Sequence, residues 1–227
     1  MITGRTRLVA LLGHPVSESL SPQMQNVAFI ERELDFAYVA CDVAPEAFET
    51  AVRGLAAAGF AGANVTTPHK EAAASLAETD LASVNTLVFE DARIRGHSTD
   101  AAVLAGITAE RPAILGAGGA ALAFRAALPD ARVFARKADW PPDVRDADLV
   151  VNATSERDDV LVELVEGQTL VDLPYPETAT AVAALASGAE VINGLEVLVA
   201  QGAASFELWT GVPAPVSVMR RALGLPA

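Results

Sequence analysis

A lysine, an aspartate and a cluster of glycines are the residues of this 227-residue chain whose types and spacing could carry chemistry. Lys70 closes the stretch AGANVTTPHK (residues 61–70), behind an apolar strand pattern, two threonines and a proline. Asp100 closes a second such stretch, GHSTD (residues 96–100). A cation and a carboxylate at strand ends suit proton transfer: the ammonium can stabilise negative charge developing on an oxygen, and either group can move a proton. Taken singly, each also has a plain structural role, Lys70 as a surface charge and Asp100 as an N-cap for the helical pattern AAVLAGI.

Gly116 and Gly118, with Ala121, fit G-x-G-x-x-A in LGAGGAA, directly after the apolar run Ala113–Leu115 and at the head of a helical pattern. Glycines there let the backbone turn sharply and approach a pyrophosphate, and the helix N-terminus offers N–H groups with no partner inside the helix. The fingerprint alone is weak, because a strand-to-helix turn that binds nothing can be equally rich in glycine. About twenty residues further on, an acid would receive a ribose 2′-OH and select NAD, whereas an arginine accommodates a 2′-phosphate. This chain has Arg136 and Lys137 there, in FARKAD, so NADP is the favoured nucleotide.

Further polar residues recur where apolar runs end: Ser17, Ser19 and Ser21 in GHPVSESLSP, Asn64 and Thr66 before Lys70, Asn85 in SVNT, and Thr99 before Asp100. In α/β sheets ligands sit outside the carboxyl ends of strands, so these clusters could converge on one crevice for a small polyhydroxylated acid. Helix capping by Ser19 and Ser21, and turn bonding by Asn64 and Asn85, are the structural alternatives.

The elements that must position these groups alternate. RLVALLG, FAYVACDV and GANVT read as strands, separated by the helical patterns SPQMQNVAFIERELD, with Ser21 as N-cap, and PEAFETAVRGLAAAG; SVNTLVFEDARIRG reads as a hairpin. Strand, helix, strand in sequence means parallel pairing through crossover helices. A second unit begins at RPAILGAGG and continues through the strands ARVFARK, DADLVVNAT, GQTLVDLPY and AEVING, with a turn near residues 98–111 as the candidate linker. LEVLVAQGAASFELWTG and PAPVSVMRRALG are helical and close the chain. The expected fold is α/β with two α/β domains. Residues 1–99, completed by 196–227, form one; residues 100–195 form a Rossmann-like dinucleotide-binding domain.

Composition narrows the partners. A formal charge of −13 argues against nucleic acid or an anionic membrane, and a small-molecule substrate in a local basic pocket is the expectation. No apolar run reaches the ~20 residues of a membrane span, and LVALLG is too short for a signal core. His14, His69 and His97 with Cys41 give no metal-ligand spacing, so no metal is expected. A single cysteine suits a reducing cytoplasm. Monomer and homodimer both remain open.

GHPVSESLSP, NVTTPHK, VNT, STD, LGAGGAA, VVNAT and NGLEVLVAQGAASFELWTG follow one another in an order that resembles the shikimate dehydrogenase family over nearly the whole chain. The resemblance implies reversible NADPH-dependent reduction of 3-dehydroshikimate to shikimate, with C-terminal helices that return to the first domain. It implies Lys70 and Asp100 as the catalytic pair, leaving open which carries the proton. Ser19, Ser21, Thr66, Asn85, Tyr175 and Gln201 match substrate contacts. Gly116, Ala117, Gly118, Gly119 and Ala120 match the phosphate turn and Arg136 the 2′-phosphate arginine, with Lys137 beside it; Asn152, Thr154 and Gly194 match the cofactor cleft.

The chain departs from that family at several points. Glu18 and Gln25 replace usual histidines, Ser98 and Ala135 usual asparagines, Ala101 and Val103 glycines, and Val197 a methionine. Only ADWPPDVR separates FARK from DADLVVNAT, where the family has a helix and a further strand, and the stretch from Lys70 to Asn85 is short. Two alternatives follow: a quinate/shikimate dehydrogenase using NAD, or a ligand-binding homologue with impaired turnover.

Overall fold

The computed structural model describes residues 2–91 and 93–227. The chain divides into two compact units, residues 1–99 with 199–227, and residues 100–198.

In the first unit the elements run β1 (Arg7–Gly13), α1 (Ser21–Glu31), β2 (Phe36–Asp42), α2 (Phe48–Ala57), β3 (Gly62–Val65), α3 (Lys70–Leu76), β4 (Thr86–Glu90) and β5 (Arg93–His97). The sheet order is β2-β1-β3-β4-β5. β1 lies parallel to both β2 and β3, while β4 and β5 turn back antiparallel. The continuous apolar run of β1 follows from this position, since a parallel strand covered on both faces has no solvent side to make polar. Leu20, not Ser21, is the N-cap of α1. Pro22, inside the first turn, has no N–H to satisfy, and the Ser19 hydroxyl accepts the Ser21 N–H at 3.3 Å. α3 was not visible in the sequence pattern, and it makes Lys70 a first-turn helical residue.

The second unit holds β6 (Pro112–Leu115), α4 (Gly119–Ala127), β7 (Arg132–Phe134), β8 (Leu149–Asn152), β9 (Thr169–Asp172), α5 (Ala179–Ala186) and β10 (Glu190–Ile192), in the all-parallel order β10-β9-β8-β6-β7. A short 3₁₀ turn, Asp100–Leu104, occupies part of the stretch expected as linker. α6 (Gly194–Thr210) runs from this unit into the first, and α7 (Val216–Ala222) follows. Phe206 of α6 stacks on Phe29 of α1 with centroids 5.2 Å apart, and Trp209 donates its indole N–H to Leu87 O at 3.0 Å. Among the described residues no helix is long and apolar enough to cross a membrane.

β7 is the edge of its sheet, and residues 135–148 lead from it past β6 to β8 with neither helix nor strand. A parallel crossover needs about a dozen residues, so the trimmed segment reaches β8 with little to spare. Buried Gln168 ties it down. Its amide donates to Val144 O at 2.9 Å and Ala147 O at 2.6 Å, and its carbonyl accepts the Val165 N–H at 2.9 Å. Gln168→Ala strands these buried backbone groups and is expected to cost about 1–3 kcal/mol. A thermal-unfolding midpoint equal to that of the parent chain would show the segment to be held by something else.

Candidate functional site

The first unit holds Ser19, Ser21, Thr66, Lys70, Asn85 and Gln201: Thr66 directly follows β3 and Asn85 precedes β4, Ser19 and Ser21 stand at the start of α1, Lys70 opens α3 and Gln201 lies on α6. Thr66 follows β3 directly and donates its N–H to Leu12 O at 2.9 Å. Gly13, at the end of β1, faces it: a Cβ at Gly13 would lie 2.5 Å from the Thr66 methyl, so glycine is what lets the two loops meet. His69 is buried against Phe48, rings stacked at 4.6 Å, with Nε2 2.7 Å from Val43 O. It braces the turn ahead of α3. Lys70 is half-buried at the start of α3, and its carbonyl accepts the Val84 N–H at 3.0 Å, which fixes the lysine's backbone one residue from Asn85.

Beneath these groups lies a buried polar network. Asn85, 2% exposed, donates to Thr99 Oγ1 at 2.9 Å and to Gln201 Oε1 at 3.4 Å, while its carbonyl oxygen accepts the Thr99 N–H at 2.7 Å. Ser205, one turn after Gln201 on α6, lies within 2.8–3.1 Å of Thr86 Oγ1, Thr99 Oγ1 and Asn64 Nδ2. Tyr38 donates its hydroxyl to Asn64 Oδ1 at 2.8 Å. So many satisfied buried groups make a rigid floor, because each bond lost would leave a desolvated partner. Thr99, locked into it, is joined by one peptide bond to Asp100, the first residue of the second unit.

Asp100, Gly116–Ala120, Arg136, Lys137, Asn152, Thr154, Tyr175 and Gly194 belong to the second unit. Gly116 has φ +117°, in the left-handed region, and a Cβ there would stand 3.0 Å from Ala153 O. Only glycine suits both demands. Its N–H bonds Phe134 O at 2.9 Å, coupling the turn to the end of β7. α4 starts at Gly119 behind Gly118, with no side-chain cap and no acidic residue in its first turn.

A hydrogen-bonded chain then leads from core to surface. Asp172, at the end of β9, accepts from Thr178 Oγ1 and from Asn152 Nδ2, each at 2.7 Å. Asn152 Oδ1 accepts from Thr154 N and Oγ1. Thr154 Oγ1 accepts the Glu156 N–H, and Glu156 Oε2 accepts from Arg136 Nη2 at 2.9 Å. The Arg136 guanidinium holds the Glu156 carboxyl below its usual range. Burial pushes the Asp172 carboxyl up, against the opposing pull of its two hydrogen bonds. Among the described residues no group of three or more His, Cys, Asp or Glu could hold a metal ion.

The comparisons with known proteins point one way. A family model described as the shikimate dehydrogenase substrate binding domain matches residues 11–87, and one described as the shikimate 5′-dehydrogenase C-terminal domain matches residues 194–223. The NADP(+) shikimate dehydrogenase of Anaeromyxobacter dehalogenans strain 2CP-C is 40% identical, over 98% of this chain and 98% of its own. The chain belongs to the shikimate dehydrogenase family. Among solved members, the shikimate dehydrogenase of Aquifex aeolicus superposes with a TM-score of 0.89 at 31% identity, covering 98% of this chain and 99% of its own. The Thermus thermophilus enzyme, solved with NADP(H) and shikimate, gives 0.84 at 32%, covering 95% and 98%. The Anaeromyxobacter alignment spans 277 positions, more than the 227 residues of this chain, so this family member is more compact than that relative.

Sequence reasoning missed Tyr38, Thr86, Ser205 and Glu156. Ser205 was findable, lying four residues after Gln201 and so on the same helix face; the others meet their partners only through the fold. The raised Asp172 gives a pH test. Above its ordinary value of 3.8 the unfolded chain releases this proton before the folded one does, so the group's contribution falls as pH rises through that window. The melting temperature of Asp172→Asn, relative to the parent, is expected to rise as the pH is raised through and above 3.8. A pH-independent difference, measured by circular dichroism, would refute it.

Proposed function

We propose that this chain is an NADP-dependent shikimate dehydrogenase that interconverts 3-dehydroshikimate and shikimate. The observation that carries this reading is the full-length likeness to NADP(+) shikimate dehydrogenases, 40% identical at the Anaeromyxobacter relative, in a chain that keeps Ser19, Ser21, Thr66, Lys70, Asn85, Asp100 and Gln201. The chain is shorter than that relative and still keeps every one of these polar residues. A protein that merely bound the acid would not need the lysine and aspartate.

NADP fits the second unit on its own geometry. The left-handed Gly116, the open N-terminus of α4 and the absence of a nearby acid in its first turn suit a pyrophosphate. Arg136, its side chain 52% exposed at the end of β7, can receive a 2′-phosphate, with Lys137 adding charge. When bound, NADPH supplies the hydride that reaches the ketone carbon. The Lys70 ammonium stabilises the charge that develops on the carbonyl oxygen, and the Lys70 and Asp100 pair delivers the proton that makes it a hydroxyl. The Ser19 and Ser21 hydroxyls hold the substrate carboxylate, Thr66 and Gln201 the ring hydroxyls, and Asn85 positions Gln201 from below. Tyr175 serves the carboxylate, and Asn152, Thr154 and Gly194 line the cofactor side. The reaction is placed in the cytoplasm, as suits a chain whose only cysteine is Cys41.

A second reading, use of NAD, is favoured by one observation: the Glu156 carboxylate on Arg136 is an acceptor that a ribose 2′-OH could use and a 2′-phosphate must displace. Glu156→Gln frees the arginine and is expected to raise the NADP to NAD preference about two- to fivefold, the size of an exposed ion pair, as read from Kd for the two nucleotides. Equal preference in variant and parent would remove Glu156 from cofactor choice. Lys70→Ala is expected to lower kcat by about 10²–10⁴-fold with NADP binding retained. The check is NADP reduction followed by absorbance with shikimate and, in parallel, quinate; near-normal turnover in the variant would overturn the role of the lysine.

A further inference from the structure

The segment that replaces the family's missing helix and strand carries a tryptophan at an unusual place. Trp140 is only half-buried, on residues 135–148 beyond the edge strand β7. The Arg136 guanidinium lies over its ring, 5.5 Å from the centroid. Beside the pair opens a groove of about 470 Å³, lined by Arg136, Trp140, Asp159, Val160 and Leu161. Val160 is 51% exposed there, so the groove offers apolar surface on two sides that the fold itself leaves uncovered.

These features describe a ligand chemistry. An indole face and an aliphatic wall suit a flat aromatic base, since ring stacking needs no particular base edge. The Asp159 carboxylate is an acceptor for an exocyclic amine. Arg136, between Trp140 and Glu156, is a cation at the mouth, where a phosphate one ribose from the base would be met. The groove lies at the carboxyl end of β7, whose Phe134 carbonyl receives the Gly116 N–H of the phosphate turn. Turn and groove are thus neighbours on one sheet edge.

We infer that Trp140, with Val160 and Leu161, is this chain's own clamp for the adenine of a 2′-phosphorylated adenine nucleotide, a wall rebuilt on the shortened crossover. The inference rests on the NADP reading above. It makes Trp140 a binding and specificity residue and gives the trimmed loop a function in place of the lost βα unit.

The test is titration of the full chain with adenosine 2′,5′-bisphosphate, by calorimetry and by tryptophan emission, on the parent, Trp140→Ala and Trp140→Phe. Trp140→Ala is expected to weaken binding about tenfold or more, and Trp140→Phe, which keeps a stacking face, to stay within about threefold of the parent. Emission should be quenched on binding in the parent but not in Trp140→Phe, whose remaining tryptophan, Trp209, is buried against Leu87. Binding of nicotinamide mononucleotide, which has no adenine, should be the same in all three. Unchanged affinity of Trp140→Ala for the bisphosphate, or quenching that survives in Trp140→Phe, overturns the clamp and leaves the NADP reading standing. Failure of the parent to bind either the bisphosphate or NADP overturns that reading and the clamp with it.

Discussion

A strand covered on both faces can carry almost nothing polar along its length, and this single constraint places the chemistry of the protein. β1, β6, β8 and β9 are buried nearly throughout, so functional side chains are driven to the residues where each strand ends or just after. Thr66 follows β3, the glycine turn follows β6, Arg136 lies two residues past β7, and Asn152 and Asp172 are the last residues of β8 and β9. Parallel pairing puts those ends on one side of each sheet. Candidate residues from separate stretches of sequence therefore come to the same side of each sheet.

Polar atoms at buried strand ends must then be satisfied, and the two units do so differently. The first uses a closed web, with Ser205 at its centre and Asn64, Thr86, Thr99, Asn85 and Gln201 around it. Neutral groups suffice there, so the floor carries no charge penalty. The second uses a line, from Asp172 through Asn152, Thr154 and Glu156 to Arg136. A line transmits position outward: the guanidinium at the surface is aimed by a carboxylate that is itself oriented by bonds reaching into the core. The cost is one buried carboxyl whose ionisation the fold resists.

Much of this was legible because it is local. Continuous apolar runs gave the strands, the glycine spacing gave the turn before α4, and collinear short motifs carried the family likeness and named the candidate residues of the site. What escaped was set by longer reach or by competition between small terms. Ser205 meets Asn64 across 141 residues, which no periodicity reports. Ser21 looked like an N-cap because the residue type is right, yet the proline after it removes a donor and the helix begins one residue sooner. α3 is seven residues long, too short for the pattern KEAAASL to stand out from a loop, and its start is fixed by the buried His69 rather than by propensity.

At the β7 edge the crossover to β8 is made by a short segment with neither helix nor strand, residues 135–148. β7 is the last strand in the order β10-β9-β8-β6-β7, and β6, with the glycine turn that leads to α4, keeps a neighbour on each side. An edge is the one position where a parallel sheet can lose a strand without changing the register of the rest. The fourteen residues of segment 135–148 meet the length that a crossover demands, and Gln168 supplies the hydrogen bonds a helix would have made for itself. What the edge lacks is a free wall for a base, because Val133 and Phe134 of β7 are already packed against the cores of the unit. A large aromatic on the bridging segment, with Arg136 over its ring, supplies such a wall with one side chain.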